Sequence, residues 1–336
     1  MAGGDRRHGR FLERKFQCFF IFLPPSVQSS KISPSISIGP NNRIALACRP
    51  TFHPFLQCSA APPLQVAPAR AASRSPPPAT SFSAGMAAPA GPTRLAYFDD
   101  MWALRAPAAV LSVHQEEGGR RAVVLDATIF HPQGGGQPAD TGVIVSAARF
   151  LVEDVRVKDG VVFHYGRFED ADGEELSQGQ SVSMEIDADR RKLNSRLHSA
   201  GHLLDSCMTN LGLHMEPGKG YHFPDGPFVE YKGVVPTDQL QDTKIQLEKE
   251  ANKLISKGAK VLVSVFPYEE AAKLCGGALP SYISEDSTPR IVKFGDCPGC
   301  PCGGTHVADI TDIGNLKVTN IRVKKGVTKV SYSISP

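Results

Sequence analysis

Two histidines four residues apart carry the clearest chemical signal in the chain. On an α-helix, His198 and His202 would lie about 40° apart, so that both imidazoles reach one ion. Gly201, between them, would cost a helix about 1 kcal/mol relative to alanine, which indicates that another group uses the space of its missing side chain. Four leucines form a stripe on the roughly opposite face: Leu193, Leu197, Leu204 and Leu211. The pattern predicts a helix that buries its leucines and turns its histidines toward a cleft.

A thiol and a third imidazole follow near the C-terminus at a spacing that also suits a metal ion. Cys302 and His306 are separated by Gly303, Gly304 and Thr305, and the two glycines let the chain wrap tightly around an ion. Three imidazoles and one thiolate make a donor set suited to Zn²⁺. We therefore predict four zinc ligands: His198, His202, Cys302 and His306.

The choice of cysteine has competitors. Cys297, Cys300 and Cys302 form a C-x₂-C-x-C run, so either of the first two could replace Cys302 as ligand. A purely structural zinc knuckle is a further alternative. We prefer Cys302 because it keeps the C-x₃-H spacing. A metalloprotease of the H-E-x-x-H type is disfavoured, since Ser199 stands where those enzymes carry their glutamate base.

A glycine-rich loop, Phe130–Pro138, is the third feature. Gly134, Gly135 and Gly136 precede Gln137, and consecutive glycines let a backbone approach another surface closely and turn N–H groups toward an anion or carbonyl. A phosphate loop is excluded because no Gly-Lys-Ser/Thr follows. An ordinary tight turn is the alternative interpretation.

Short strands separated by glycine turns precede the histidine helix and predict a small β-barrel. The predicted strands are 122–129, 143–145, 151–157, 161–165 and 181–186, and the turns are Gly118-Gly119, Asp159-Gly160 and Asp172-Gly173. Helices are predicted from Asp187 or Asp189 to about Leu211 and from Thr237 or Asp238 to Lys257. Strands follow at 259–266, 290–294, 316–323 and 327–334. The predicted fold class is α+β, with a barrel-like domain followed by an α+β zinc-binding domain.

Composition divides the chain near residue 93. The 336 residues suffice for about two domains, and no apolar run approaches the ~18 residues that a membrane helix needs. Residues 1–93 hold 10 Lys/Arg and 2 Asp/Glu, a charge of +8, together with 14 of the 27 prolines. The remainder holds 27 Lys/Arg and 32 Asp/Glu, a charge of −5. We predict a disordered leader at 1–93, a barrel domain at 94–187 and a zinc domain at 188–336.

The leader, rich in arginine and serine and poor in acids, resembles an organelle transit peptide of the chloroplast or mitochondrial kind. A secretory signal is the rival, because Arg14-Lys15 precede the apolar stretch 16–23. A start of translation at Met86 is another alternative and would leave a cytoplasmic protein. The expected location is therefore cytoplasmic, or organellar if the leader is functional.

Together, the three motifs resemble the editing module shared by alanyl-tRNA synthetases and the free-standing AlaX proteins. The similar segments are Asp126–Gln137, His198–His202 and Cys302–His306, in the order of that family, and the match covers Arg94 to about Pro336. The resemblance implies a barrel-like part followed by an α+β zinc domain, related also to the editing domain of threonyl-tRNA synthetases. Cys297 and Cys300 have no place in the family pattern.

The activity that this resemblance implies is zinc-dependent hydrolysis of mischarged tRNA-Ala, carrying serine or glycine, in trans. A zinc-bound water is expected to act as nucleophile, with no side chain assigned, although four protein ligands are typical of a closed structural site. Gly134, Gly135, Gly136, Gln137 and Gly201 are expected to contact the substrate. Many synthetase editing domains carry threonine at the position of Gly201, and that hydroxyl is absent here.

Two other functions compete with this expectation. One is a non-catalytic, zinc-stapled tRNA-binding module, and the other is a hydrolase of a different acyl ester or amide. A complete synthetase is not expected, because residues 1–93 leave no room for an aminoacylation core. Basic clusters that could contact RNA are Arg190-Arg191-Lys192 with Arg196, and Lys324-Lys325.

The transit-peptide interpretation predicts that residues 1–85, fused to a fluorescent reporter, direct the reporter into chloroplasts or mitochondria. The basic, acid-poor leader would be the import signal. Fluorescence microscopy of the fusion, with the unfused reporter as control, measures this. A diffuse cytosolic signal would contradict the interpretation.

Overall fold

The computed structural model describes residues 91–336, except 117–118 and 171–172. The predicted leader, apart from its last three residues, lies outside the described part of the chain, as do Gly118 and Asp172 of two predicted turns. Within the described part, no helix combines the length and apolar character that a bilayer crossing requires. The domain limits at residues 93 and 187 stay a prediction.

A closed six-stranded barrel forms the first half of the described chain. Its part of the chain contains eight strands: β1 (Arg94–Leu95), β2 (Arg105–Gln115), β3 (Arg121–Leu125), β4 (Ala127–Thr128), β5 (Gly142–Val145), β6 (Arg149–Lys158), β7 (Val161–Phe168) and β8 (Ser181–Ile186). The barrel order is β2-β3-β7-β6-β5-β8, while β1 pairs with β4 in parallel. Val110, Leu125, Phe150 and Met184 are fully buried in its core, so the predicted barrel is confirmed.

The second half mixes helices and sheets. Its helices are α1 (Ala188–Asn210), α2 (Leu240–Lys257) and α3 (Tyr268–Leu274), and its strands are β9 (Glu216–Tyr221), β10 (Phe228–Lys232), β11 (Val261–Val265), β12 (Arg290–Phe294), β13 (Cys300–Pro301), β14 (Asn315–Lys324) and β15 (Val327–Ser335). Short 3₁₀ helices lie at Ala96–Phe98, Thr237–Gln239 and Ile310–Ile313. The sheets have the orders β14-β15-β10-β9 and β11-β12-β13.

Helix α1, which carries two of the predicted ligands, begins and packs as its sequence indicates. The Asp187 side chain caps it by accepting a hydrogen bond from Arg190 N at 3.0 Å. Leu197 and Leu204 are buried in a core shared with α2 and the inner face of the four-stranded sheet. The predicted leucine stripe is wrong at Leu193, which is 37% exposed because it lies before the segment of α1 that this core covers.

Five strands were not predicted: β1, β2, β9, β10 and β13. Strand β2 contains Pro107 and three alanines, and β9 has the sequence EPGKGY. Proline, glycine and alanine are poor strand formers, so the local signal was weak. Helix α3 was also not predicted.

A buried ion pair joins α1 to the barrel. Arg191 donates to Asp140 Oδ2 at 2.6 Å and to the carbonyls of Met101 and Ile129, also at 2.6 Å. Arg190 Nε donates to the Ala139 carbonyl, and Arg196 donates to the carbonyls of residues 313 and 335. The arginines of this predicted RNA-contacting cluster therefore hold protein segments together.

Candidate metal centre

The four predicted ligands meet at one place. One donor atom from each of His198, His202, Cys302 and His306 lies within 4.8 Å of the others. Cys302 Sγ is 3.5 Å from His198 Nε2 and 3.4 Å from His306 Nε2. Three of the residues are buried and His202 is partly exposed. The structure thus brings the helical pair and the C-terminal pair together.

Each histidine makes its outward hydrogen bond through Nδ1. His198 Nδ1 donates to Gln137 Oε1 at 2.8 Å, since that oxygen can only accept. His306 Nδ1 lies 3.2 Å from Ser199 Oγ, and His202 Nδ1 lies 3.2 Å from Cys300 Sγ. Such outer partners are typical of metal-binding histidines, because they fix the ring and leave Nε2 facing inward.

The inward atoms fit a metal ion. His202 Nε2 is buried without a hydrogen-bond partner, a state that costs about 1–3 kcal/mol unless another group occupies its lone pair. Burial lowers the pKa of His202 to about 4, and burial together with the neighbouring histidines lowers the pKa values of His198 and His306. The imidazoles are therefore neutral at pH 7, which is the form that binds metals.

The competing cysteines occupy different positions. Cys300 Sγ contacts the outward nitrogen of His202 rather than its inward one. The ligand group that the structure assembles contains Cys302 and neither Cys297 nor Cys300.

An open cleft of about 430 Å³ adjoins the cluster. His198, His202 and Cys302 line it, together with Gly134 and Gly135 of the barrel loop. Two carboxylates, Asp205 and Glu216, also line the cleft, and Tyr231 donates a hydrogen bond to Asp205 Oδ1 at 2.8 Å. A small polar molecule in the cleft would therefore contact the cluster directly.

The predicted substrate-contacting loop divides into two parts. Gly134 and Gly135 line the cleft, whereas Gln137 is fully buried. Gln137 Nε2 donates to Thr305 Oγ1 at 2.9 Å, and its Oε1 accepts from Thr305 N at 3.0 Å as well as from His198. A Cβ on Gly136 would lie 2.5 Å from the Gly220 carbonyl oxygen. Gln137 and Gly136 thus support the site through contacts within the protein.

His222, which was not among the predicted site residues, fills the space beside Gly201. A Cβ on Gly201 would collide with the His222 ring. This ring stacks on His198 with centroids 4.6 Å apart, and its Nδ1 lies 2.7 Å from Tyr332 Oη, which donates to the Leu197 carbonyl. Gly201 had signalled a neighbour, but no local pattern identified His222 as that neighbour.

Comparisons with known proteins connect this arrangement to two protein-family models. Residues 102–190 match the model described as "tRNA synthetases class II (A)", and residues 290–331 match "Threonyl and Alanyl tRNA synthetase second additional domain". The first match includes the glycine-rich loop, and the second includes Cys302 and His306.

Individual relatives show the same similarity. The chain is 32% identical over 243 residues to "Alanyl-tRNA editing protein AlaX-L" of Pyrococcus horikoshii, covering 70% of this chain and 57% of that protein. It is 35% identical over 217 residues to "Alanine--tRNA ligase" of Methanothrix thermoacetophila, which covers 63% of this chain and 23% of that protein. It is 34% identical over 227 residues to "Alanine--tRNA ligase" of Burkholderia thailandensis, which covers 66% of this chain and 25% of that protein. The chain therefore spans about half of the first relative and about a quarter of the ligases.

Replacing Gln137 by methionine should weaken Zn²⁺ binding about 10–100-fold, because His198 would lose the partner that orients its ring. Titration against a chromophoric chelator measures the affinity. Gln133→Met, at a cleft-lining glutamine of the same loop, is the matched control and should bind as the wild type does. Equal affinities for wild type and Gln137→Met would contradict this role.

Replacing Gly201 by alanine should destabilise the protein by about 1–3 kcal/mol through overpacking against His222. In a His222→Ala background the same change should destabilise the protein much less, because the collision with His222 is gone and a 3.2 Å contact of the Cβ with Tyr332 Oη is set against the ~1 kcal/mol helix preference of alanine. Urea unfolding of metal-free protein measures both effects. Ser206→Ala, on the same helix, should have one effect in both backgrounds, and an identical effect of Gly201→Ala in both would contradict the packing explanation.

Proposed function

Because the chain belongs to the family of alanyl-tRNA synthetase editing domains and alanyl-tRNA editing proteins, we propose that it is a zinc-dependent deacylase of mischarged tRNA-Ala. It would release serine or glycine from tRNA-Ala in trans. The observation that carries the proposal is the convergence of three neutral imidazoles and one thiol at the wall of an open cleft.

The proposed metal ligands are His198, His202, Cys302 and His306. Their three nitrogens and one sulfur suit Zn²⁺. Among them, His202 Nε2 is buried without a hydrogen-bond partner, so a bound ion would satisfy its lone pair. When bound, such an ion would supply a Lewis acid next to the ester that is cleaved.

The remaining cleft residues would bind and orient the substrate. No hydrogen bond among the described residues uses the backbone N–H of Gly135, so this group is suited to an oxygen of the ester or the terminal ribose. Seryl and glycyl esters both carry an α-ammonium group, and the Asp205 carboxyl, which lines the cleft, is suited to accept a hydrogen bond from it. Burial raises the pKa of Asp205 to about 7, so this group is partly ionised at neutral pH. The small cleft and this carboxyl favour an aminoacyl group over an uncharged acyl chain.

A catalytic role is favoured over a zinc staple by the openness of the site. A structural zinc ion is enclosed by its four ligands and their packing. Here His198, His202 and Cys302 line the cleft, so a substrate would reach the centre without unfolding the site.

The purified chain should deacylate Ser-tRNA-Ala and Gly-tRNA-Ala faster than Ala-tRNA-Ala. His198→Ala should lower the rate by more than ~100-fold, because loss of a ligand exceeds the usual effect of losing an outer partner. Release of radiolabelled amino acid measures the rate, with His214→Ala, at an exposed histidine, as matched control. Chelation should abolish the activity and added Zn²⁺ should restore it. Serine release at one background rate by wild type and His198→Ala would refute the proposal.

A further inference from the structure

We propose that the outer face of the four-stranded sheet binds the acceptor end of tRNA. This inference rests on the proposed function for its choice of RNA and adds the surface that would hold it. The outer face is the side of strands β14, β15, β10 and β9 that points away from the core. The inner side packs against α1 and α2 through Val229, Val318 and Val330, all buried.

Basic side chains dominate this outer face. Burial alternates along β14 and β15, and the exposed or half-buried positions face outward. Six basic residues occupy outer positions: Lys219, Lys232, Lys317, Arg322, Lys324 and Lys329. Two acids share the face, and one of them, Glu216, pairs with Lys232 at 2.6 Å. Six basic groups thus share this face with two acids, Glu216 and Glu230, on a body whose charge is −5.

The arrangement of these charges indicates an anionic ligand. Arg322 and Lys329 lie directly opposite each other on the paired strands β14 and β15, and Lys329 also lies opposite Glu230 on β10. One carboxylate leaves these three opposed positions with a net positive charge, which the phosphates of a nucleic acid would neutralise. The arginines of the other predicted basic cluster, on α1, hold the protein together. The second predicted cluster, Lys324-Lys325, lies at the end of β14, where Lys324 occupies the outer face.

Three aromatic rings at one side of the face suit unpaired bases. Tyr221 stacks on Phe223, with ring centroids 4.5 Å apart, and on Phe228, with centroids 5.4 Å apart. The ammonium of Lys329 lies 3.3 Å from the Phe228 ring centroid. Half-buried aromatic rings beside lysines are typical of surfaces that bind single-stranded RNA, the form of every tRNA acceptor end.

Strand β9 connects this face to the cleft. Gly218, Gly220 and His222 line the cleft, whereas the intervening Tyr221 stacks on the outer side. Because β9 is an edge strand, an RNA strand that stacks on this aromatic cluster has only β9 to cross before its terminal aminoacyl group enters the cleft.

The test measures binding of the full chain to an uncharged tRNA-Ala transcript by fluorescence anisotropy at several KCl concentrations. Arg322→Gln combined with Lys329→Gln should weaken binding about tenfold or more and lower the salt slope by about 1–2, since each phosphate contact contributes ~0.7–0.9. Lys253→Gln with Lys257→Gln on α2 removes the same charge from exposed residues of a helix that packs on the inner side of the sheet and should change neither quantity.

A second variant tests the aromatic rings. Tyr221→Leu with Phe228→Leu should weaken binding of a single-stranded oligonucleotide ending in CCA by at least fivefold. Thermal unfolding of every variant monitors whether it remains folded.

The outcomes separate this inference from the proposed function. Unchanged tRNA affinity in the Arg322/Lys329 variant, or an equal loss in the α2 control, would overturn the binding face even if wild type deacylates Ser-tRNA-Ala. Weaker tRNA binding confined to the outer-face variants would support the face even if wild type has no deacylase activity.

Discussion

The side-chain amide of Gln137 is the contact on which the site depends, because it joins three segments that are distant in sequence. Its oxygen accepts hydrogen bonds from His198 on α1 and from the backbone of Thr305, and its nitrogen donates to the Thr305 hydroxyl. All of these groups are buried, and an unsatisfied buried donor or acceptor costs about 1–3 kcal/mol. The barrel loop, α1 and the C-terminal loop therefore stabilise one another's positions through this one side chain. Gly304 is part of the same constraint, since a Cβ there would collide with the His198 ring.

The barrel provides the rigid support that this amide needs. Arg191 of α1 bonds to Asp140 and to two barrel carbonyls, and Asp140 in turn accepts from the backbone N–H of His131 at 2.6 Å. Breaking a buried ion pair by removal of one partner typically costs about 3–5 kcal/mol. The start of the glycine-rich loop is thus fixed to α1, the helix that also carries His198 and His202. The barrel therefore holds the helical pair of donors in place.

The site residues that could be predicted from the sequence are those whose geometry depends on local spacing. The residues that could not be predicted depend on tertiary contacts. The i, i+4 histidines and the C-x₃-H pair were recognisable because a helix and a tight glycine loop fix their geometry over a few residues. Gln137 belonged to the right motif, but its position inside the protein depends on where Thr305 lies. The contact between His222 and Gly201 depends on the position of β9, which directly precedes His222. That strand could not be predicted because its proline and glycines are poor strand formers. The arginines of α1 resemble solvated charges in the sequence because most of their acceptors are backbone carbonyls, and the one carboxylate, Asp140, is 51 residues away in the chain.

The four donor residues differ in how firmly the protein holds them. His306 is fully buried, its Nδ1 faces Ser199, its carbonyl accepts from Trp102 Nε1 at 3.2 Å, and it is absent from the cleft wall. His202 lies at the other extreme, because 16% of its side chain is exposed and its outward partner is the weakly bonding thiol of Cys300. A cluster of equally enclosed ligands would be typical of a structural ion. Here the exposure of the side chain instead increases from His306 to His202, so the least constrained donor lies beside the cleft. A small movement of His202 would disturb neither the amide of Gln137 nor the ion pair of Arg191.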